Sequence, residues 1–131
     1  MADRTNSRVA LMAIHPGYAN AILDGIKKVE FRKRPLADDV TRVLIYSTSP
    51  VQQVVGEFGI ERTVVDHPNT LWDDFGDIGS IDQDSFDRYF ASRETGVAFV
   101  ISWTKKYASP QRLNELASSP SIPQSFSYVE G

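Results

Sequence analysis

The densest chemistry in this sequence lies between Gly25 and Arg34, which reads Gly-Ile-Lys-Lys-Val-Glu-Phe-Arg-Lys-Arg. After Lys27 the charged residues recur at every second position. In an extended strand that period places Lys28, Glu30, Arg32 and Arg34 on one face and Val29 and Phe31 on the other, with Lys27 in the preceding turn. A row of ionisable groups over a packed sheet can hold a polar ligand against a rigid floor. The same pattern also describes a solvated outer strand that uses charge to discourage edge pairing. Lys27 acts as a nucleophile only if it is neutral part of the time, which requires burial or nearby cations; contact with Glu30 opposes that shift. An ion pair that fixes Lys27 or Arg32 at the rim of a cleft is the competing role. Arg32 is suited to a phosphate or a base, because its guanidinium is planar and permanently charged.

Elements on either side must position this stretch. Val9 to Ile14 is an apolar run that suits a buried strand. Pro16 then opens a helix on which Tyr18, Ala19, Ile22, Leu23 and Ile26 recur at helical spacing, and Gly25 supplies the stop. His15, just before that start, either caps the helix or donates to an anion. Arg34-Pro35 ends the charged strand. Arg42 to Ser47 reads as a strand. Gln53 to Val65 is a longer one, bent at Gly56 and Gly59, and it carries Glu57, a mid-sheet acid that needs a partner such as Arg32 or Arg62. Asp66 to Gly79 predicts a short helix or loop around Trp72.

Ser80-Ile81-Asp82-Gln83 has the form of a capping box, ahead of a helix whose apolar stripe is Phe86, Tyr89 and Phe90. Val97 to Trp103 predicts the central strand, Ser109-Pro110 a short helix through Leu113 and Leu116, and Phe126 to Val129 a last strand or packed tail. Tyr18, Tyr46, Trp72 and Tyr89 are the aromatic groups that could stack on a base, Tyr89 being weighted towards the core. Too few crossover helices separate the strands for a doubly wound parallel sheet. The expected fold is α+β, a small, mixed and mainly antiparallel barrel with short helices at its ends.

The chain has 131 residues, enough for one domain, and 41% hydrophobic with 24% charged residues is an ordinary globular composition. With no cysteine and two distant histidines, neither a disulfide, a metal site nor a cofactor is expected. No stretch is apolar enough to span a bilayer, and no leader pattern is seen, so a cytoplasmic location without membrane partners is expected. A net charge of −3 argues against bulk electrostatic capture of nucleic acid. Residues 1–62 nevertheless carry +2 and residues 63–131 carry −5, which places any anion site locally in the first half.

Gly25-Ile26-Lys27-Lys28-Val29-Glu30-Phe31-Arg32 reproduces a Gly-x-Lys-x-x-Glu-x-Arg motif, and through it the chain resembles ASCH domains of the PUA-like superfamily of small β-barrels. Pro16 to Ala19, Ile22 to Gly25, Tyr46 to Pro50, Val55 to Phe58, Gly96 to Ala98 and Pro123 to Phe126 resemble flanking blocks in the same order. They resemble in particular a prokaryotic branch described as predicted transcriptional regulators. His15 stands where many relatives carry lysine.

The resemblance implies one PUA-like domain over residues 1–131, with a flexible start at about 1–7, that binds RNA, DNA or a modified nucleoside in regulation or RNA metabolism. The implied ligand-binding set is His15, Tyr18, Lys27, Glu30, Arg32, Arg34, Tyr46, Ser47 and Trp72. The alternative it implies is a hydrolase, either a ribonuclease or an N4-acetylcytidine amidohydrolase with Lys27 and Glu57 as catalytic groups. Glu30 occupies the position where those amidohydrolases have threonine. The oligomeric state is left open.

Overall fold

The computed structural model describes residues 8–115 and 125–129. Six strands form one sheet: β1 (Arg8–Ile14), β2 (Val29–Arg32), β3 (Val40–Ser47), β4 (Gln53–Asp66), β5 (Gly96–Gln111) and β6 (Phe126–Val129), in the spatial order β2-β5-β4-β3-β1-β6. All pairs are antiparallel except β1 and β3. A parallel neighbour cannot be reached by a tight turn. The connection from β1 to β3 therefore runs through helix α1 (Pro16–Leu23) and strand β2, and this detour carries the charged motif.

Helices α2 (Pro68–Phe75) and α3 (Gln83–Tyr89) fill the connection between β4 and β5. The mixed α+β architecture matches expectation, with one adjustment. The sheet is barrel-like but not closed by a strand ladder, since β2 and β6 remain its two edges.

The core follows from side-chain alternation along the strands. Ala10, Met12 and Ile14 of β1, with Val43 and Ile45 of β3 and Phe58 of β4, pack against Ala19 and Ile22 of α1. Complete burial of Ile22 contributes about 1.5–3 kcal/mol. The alternate residues Leu11, Leu44, Tyr46 and Val54 form a second cluster on the opposite face. A third joins Val29 and Phe31 of β2 to Leu71, Phe75, Phe86 and Phe90 of α2 and α3.

Several local expectations change. Strand β2 is only four residues long and buried on both faces, so Lys28 and Arg34 lie outside it and are exposed. Burial of both faces means that the charged row is not a solvated surface. The cap of α3 is Asp82 rather than Ser80; its carboxylate accepts the Ser85 N–H at 3.0 Å. Strand β5 continues through Ser109-Pro110 instead of ending before a helix, because pairing with β4 extends as far as Gln111 opposite Val54. Among the described residues, a 3₁₀ turn at Leu113–Glu115 follows it. The proposed start at 1–7, Leu116 and the Pro123-Gln124 block lie outside the described residues.

Two glycines are required for different reasons. Gly25 adopts φ +79° after α1, with its N–H bonded to Ile22 O, so a side chain there costs about 1 kcal/mol through backbone strain although the space is open. At Gly56, where α1 crosses β4, a Cβ would lie 2.5 Å from Lys105 O and 2.7 Å from Leu23 Cδ2. Gly56→Ala is expected to destabilise by about 1–3 kcal/mol, more than Gly25→Ala, in urea unfolding. An unchanged Gly56→Ala midpoint would contradict this account of the α1–β4 contact.

Candidate functional site

The turn after α1 is built to aim Lys27. Asp24 N–H returns to Asn20 O at 2.8 Å, and the N–H groups of Ile26 and Lys27 both bond to Ala21 O, at 2.9 and 3.0 Å. The lysine backbone is thus fixed to the helix, while Lys28 O accepts from Ile101 N–H and Lys28 N–H donates to Ile78 O. The Lys27 side chain runs inward and is 3% exposed. Its Nζ donates to Gly79 O, lies 3.9 Å from Glu30 Oε1, and stands 5.0 Å and 5.6 Å from the ring centres of Tyr18 and Phe31. Gly79 is needed for this approach, since a Cβ there would lie 2.5 Å from Phe31 Cε2.

Burial is the largest influence on Lys27 and lowers its pKa from the ordinary lysine value. The Glu30 carboxylate opposes the shift and Arg32 adds to it.

Glu30 shares its other oxygen with Arg32, whose Nε–H donates to Oε2 at 3.0 Å. The guanidinium then reaches across the open side of the sheet. Nη2 donates to Ala13 O of β1 at 2.7 Å, and Nη1 donates to Ser125 Oγ at 3.1 Å and to Ser125 O at 3.4 Å. Ala13 N–H in turn donates to Ser125 O at 3.1 Å. Edge strand β2 is therefore tied to β1 and to the residue before β6 by one side chain. Arg32 was expected to present a free fork to a ligand; most of its donors are instead used to hold the protein together.

These groups line a cavity of about 260 Å³ between α1, β2 and α3. Tyr18, Phe31, Phe86 and Tyr89 form aromatic walls, His15 and Ser85 stand among the lining residues, and Lys27, Glu30 and Arg32 contribute the charge. His15 caps α1: its Nδ1 accepts the Gly17 N–H at 3.1 Å, which leaves Nε2 as the protonated nitrogen of the neutral ring. The capping half of its expected role is therefore present. His67 caps α2 in the same way, accepting from Asn69 N–H at 3.0 Å. Tyr89, on a stripe that the sequence favours as core, is half-buried at the cavity wall, where burial foremost raises its pKa. A hydroxyl at the edge of an otherwise Phe-only stripe was the available signal. Nothing in the sequence marked the Gly79 carbonyl.

Other expected site residues are elsewhere. Arg34 is exposed beyond β2 and does not line the cavity. Tyr46 is buried in the cluster on the opposite sheet face. Ser47 is buried beside Ile14 in the β1–β3 ladder. Trp72 packs on Phe86, ring centres 5.0 Å apart, behind the cavity wall.

Glu57 shares the face of Leu44 and Tyr46, where it accepts from Tyr107 Oη at 2.9 Å and pairs with Arg42 at 3.5 Å. Burial, then the bond to Glu57, pushes the Tyr107 phenol up to about 12, so it remains a donor. Glu57 and Lys27 therefore do not meet in one cavity, and neither Arg32 nor Arg62 is the partner of Glu57. Among the described residues no group of three or more His, Cys, Asp or Glu is placed to hold a metal ion, and no helix is long and apolar enough to cross a membrane.

No family model matches the chain. A protein of Zymomonas mobilis subsp. mobilis named ASCH domain-containing ribonuclease is 31% identical over 132 residues, covering 98% of this chain and 89% of that protein. The chain belongs to the ASCH domain family. The crystal structure of the ASCH protein from Zymomonas mobilis superposes with a TM-score of 0.83 at 30% identity, covering 93% of this chain and 87% of that one. A serine-to-alanine variant of the same protein gives 0.85 at 31% identity, covering 93% and 88%. The PUA-like fold expected of an ASCH domain is thus present, and the buried Lys-Glu-Arg relay lies on its Gly-x-Lys-x-x-Glu-x-Arg segment.

Removing Arg32 leaves Glu30 buried with a single, longer contact to Lys27. Arg32→Ala is expected to destabilise this ASCH domain by about 3–5 kcal/mol, and Arg32→Lys, which restores charge but not the fork, to recover only part of it. Chemical denaturation measures both; full recovery by lysine would show that geometry is unimportant.

The depressed Lys27 pKa has a second consequence. Between its folded value and the unfolded 10.5 the unfolded chain binds more protons, so stability relative to Lys27→Met should rise with pH through that window. Below the folded value the penalty is fully present. A pH-independent difference between the two proteins would contradict the shift.

Proposed function

We propose that this ASCH domain binds single-stranded RNA and takes one base into the cavity beside Lys27. The observation that carries this reading is the cavity itself: aromatic walls from Tyr18, Phe31, Phe86 and Tyr89 surround a few fixed polar groups. Stacking surfaces with convergent donors and acceptors at their edge are what an unstacked base needs. Lys27, Glu30, His15 and Ser85 supply the polar set. Arg32 acts mainly by holding Glu30 and the sheet edges in place. A role in RNA metabolism or in regulating transcription belongs to this proposal.

Cleavage of the bound strand is the second reading. It is favoured by the lowered pKa of Lys27 and by the ribonuclease name of the relative from Zymomonas mobilis. A neutral Lys27 amine would take the proton of a ribose 2′-hydroxyl. The 2′-oxygen would bond to the adjacent phosphorus, the bond to the 5′-oxygen would break, and the leaving oxygen would take a proton from solvent. The strand ends would be a 2′,3′-cyclic phosphate and a 5′-hydroxyl. The amidohydrolase alternative has less support, because Glu57 and Lys27 lie in separate depressions and Glu30 replaces the threonine of that set.

The test is to incubate the protein with labelled single-stranded RNA, RNA duplex, DNA and single nucleosides, measuring retention and products together. Single-stranded RNA should bind with a shallow dependence of log affinity on log salt, as expected for few phosphate contacts on a chain of net charge −3. Retention of none of these ligands would sink the binding proposal. If RNA is cut, the rate should rise with pH along a limb centred below the ordinary lysine value, and Lys27→Met should abolish it. Unchanged turnover in that variant would remove Lys27 from the chemistry.

A further inference from the structure

We propose that the sheet face around Trp103 is a second contact surface for single-stranded RNA, on the face opposite the α1-packed core. The proposal rests on the RNA-binding reading above and extends it to a surface with which the cavity shares no residue.

Trp103 lies on β5 and is 44% exposed, although indole is the largest apolar side chain. Its position is specified by the neighbouring strand. Trp103 pairs with Gly59 of β4, which pairs with Arg42 of β3, so the three form one row across the sheet. The pyrrole side of the indole occupies the space that a Cβ at Gly59 would fill. The ring is thus seated on bare backbone, with the rest of it open to solvent.

Its surroundings select the partner. One pleat further along, Lys105 is exposed and pairs with Glu57. Arg42 is 46% exposed at its side chain, and Glu57, with which it pairs, is buried and bonded to Tyr107, while Glu61 further along β4 pairs with Arg62. Arg42 and Lys105 therefore leave one positive charge in excess beside the indole, on a chain whose net charge is −3. Ile26, Val51, Val65, Ile78 and Tyr128, the other large exposed hydrophobics among the described residues, are absent from this row.

A stable protein interface buries roughly 800 Å² on each partner around an apolar core, and no second large exposed hydrophobic of the described residues stands in this row to build one. One seated aromatic, with Arg42 in its row across the sheet and Lys105 two residues along its own strand, matches a base that stacks while its neighbouring phosphates meet these two cations. A strand bound on both surfaces gains affinity by linkage, whereas a mononucleotide in the cavity gains none.

The chain has two tryptophans, which makes the surface directly observable. In a Trp72→Phe variant all tryptophan emission comes from Trp103. Titration with a short oligouridylate should quench it saturably, in parallel with binding measured by anisotropy of labelled RNA. Trp103→Ala should weaken oligonucleotide binding roughly five- to a hundred-fold, the range for loss of one stacked base. Trp103→Phe, which keeps the apolar contact, should lose less, and a mononucleotide should bind both Trp103 variants as it binds the wild type.

RNA bound or cut by the wild type, with Trp103 emission and Trp103→Ala affinity unchanged, would overturn this surface and leave the cavity proposal standing. RNA neither bound nor cut would overturn both. Loss of self-association on sedimentation of Trp103→Ala, without any effect on RNA, would assign the face to a second copy of the chain and likewise overturn the proposal.

Discussion

The structure depends on the way one buried carboxylate is shared. Glu30 faces Lys27 with one oxygen and Arg32 with the other, and all three side chains are withdrawn from water. None would be stable there alone, because an isolated buried charge costs several kcal/mol. Together they carry two cations against one carboxylate, and further bonds run from Lys27 and Arg32 to backbone carbonyls at Gly79, Ala13 and Ser125. The relay has a mechanical consequence as well. The sheet is not closed by a strand ladder, and the Arg32 fork fastens β2 to β1 and to the residue before β6. The group that organises the cavity therefore also holds the ends of the sheet together.

That double duty explains why the site is local in a chain with an acidic balance. Few phosphates need be neutralised if recognition rests on aromatic walls and a small set of oriented polar atoms. Burial lowers the Lys27 pKa, while the neighbouring carboxylate limits the change and Arg32 adds to it. Helix α1 sets its position through three backbone bonds after Asn20, and His15 fixes the opposite end of the same helix at the cavity.

Much of the fold was legible in local pattern. The Pro16 start and Gly25 stop of α1 and the bent strand through Gly56 and Gly59 follow from residue chemistry that acts within a few positions, whereas that chemistry leaves Phe126 to Val129 open between a strand and a packed tail. The family motif was legible too, because its spacing is fixed along the chain. Boundaries set by distant partners were less so. Pairing with β4 carries β5 past Pro110, and the side-chain cap of Asp82 overrides the Ser-x-x-Gln pattern begun at Ser80.

For the site, local pattern shows which groups carry charge and puts Lys27, Glu30 and Arg32 within a turn and four strand residues of one another, leaving open whether Glu30 pairs with Lys27 or Arg32. Tertiary structure decided what they do. The parity of β1, β3 and β4 sends Glu57 and Tyr46 to the far face, and curling of the sheet brings Ala13 and Ser125 to Arg32, so a side chain read as a ligand fork serves as a clasp. Packing of α3 brings Tyr89, Ser85 and Phe86 to the cavity. The reason is physical: local spacing fixes a residue's face and neighbours, whereas burial, pairing and pKa depend on atoms contributed by segments far away in the chain.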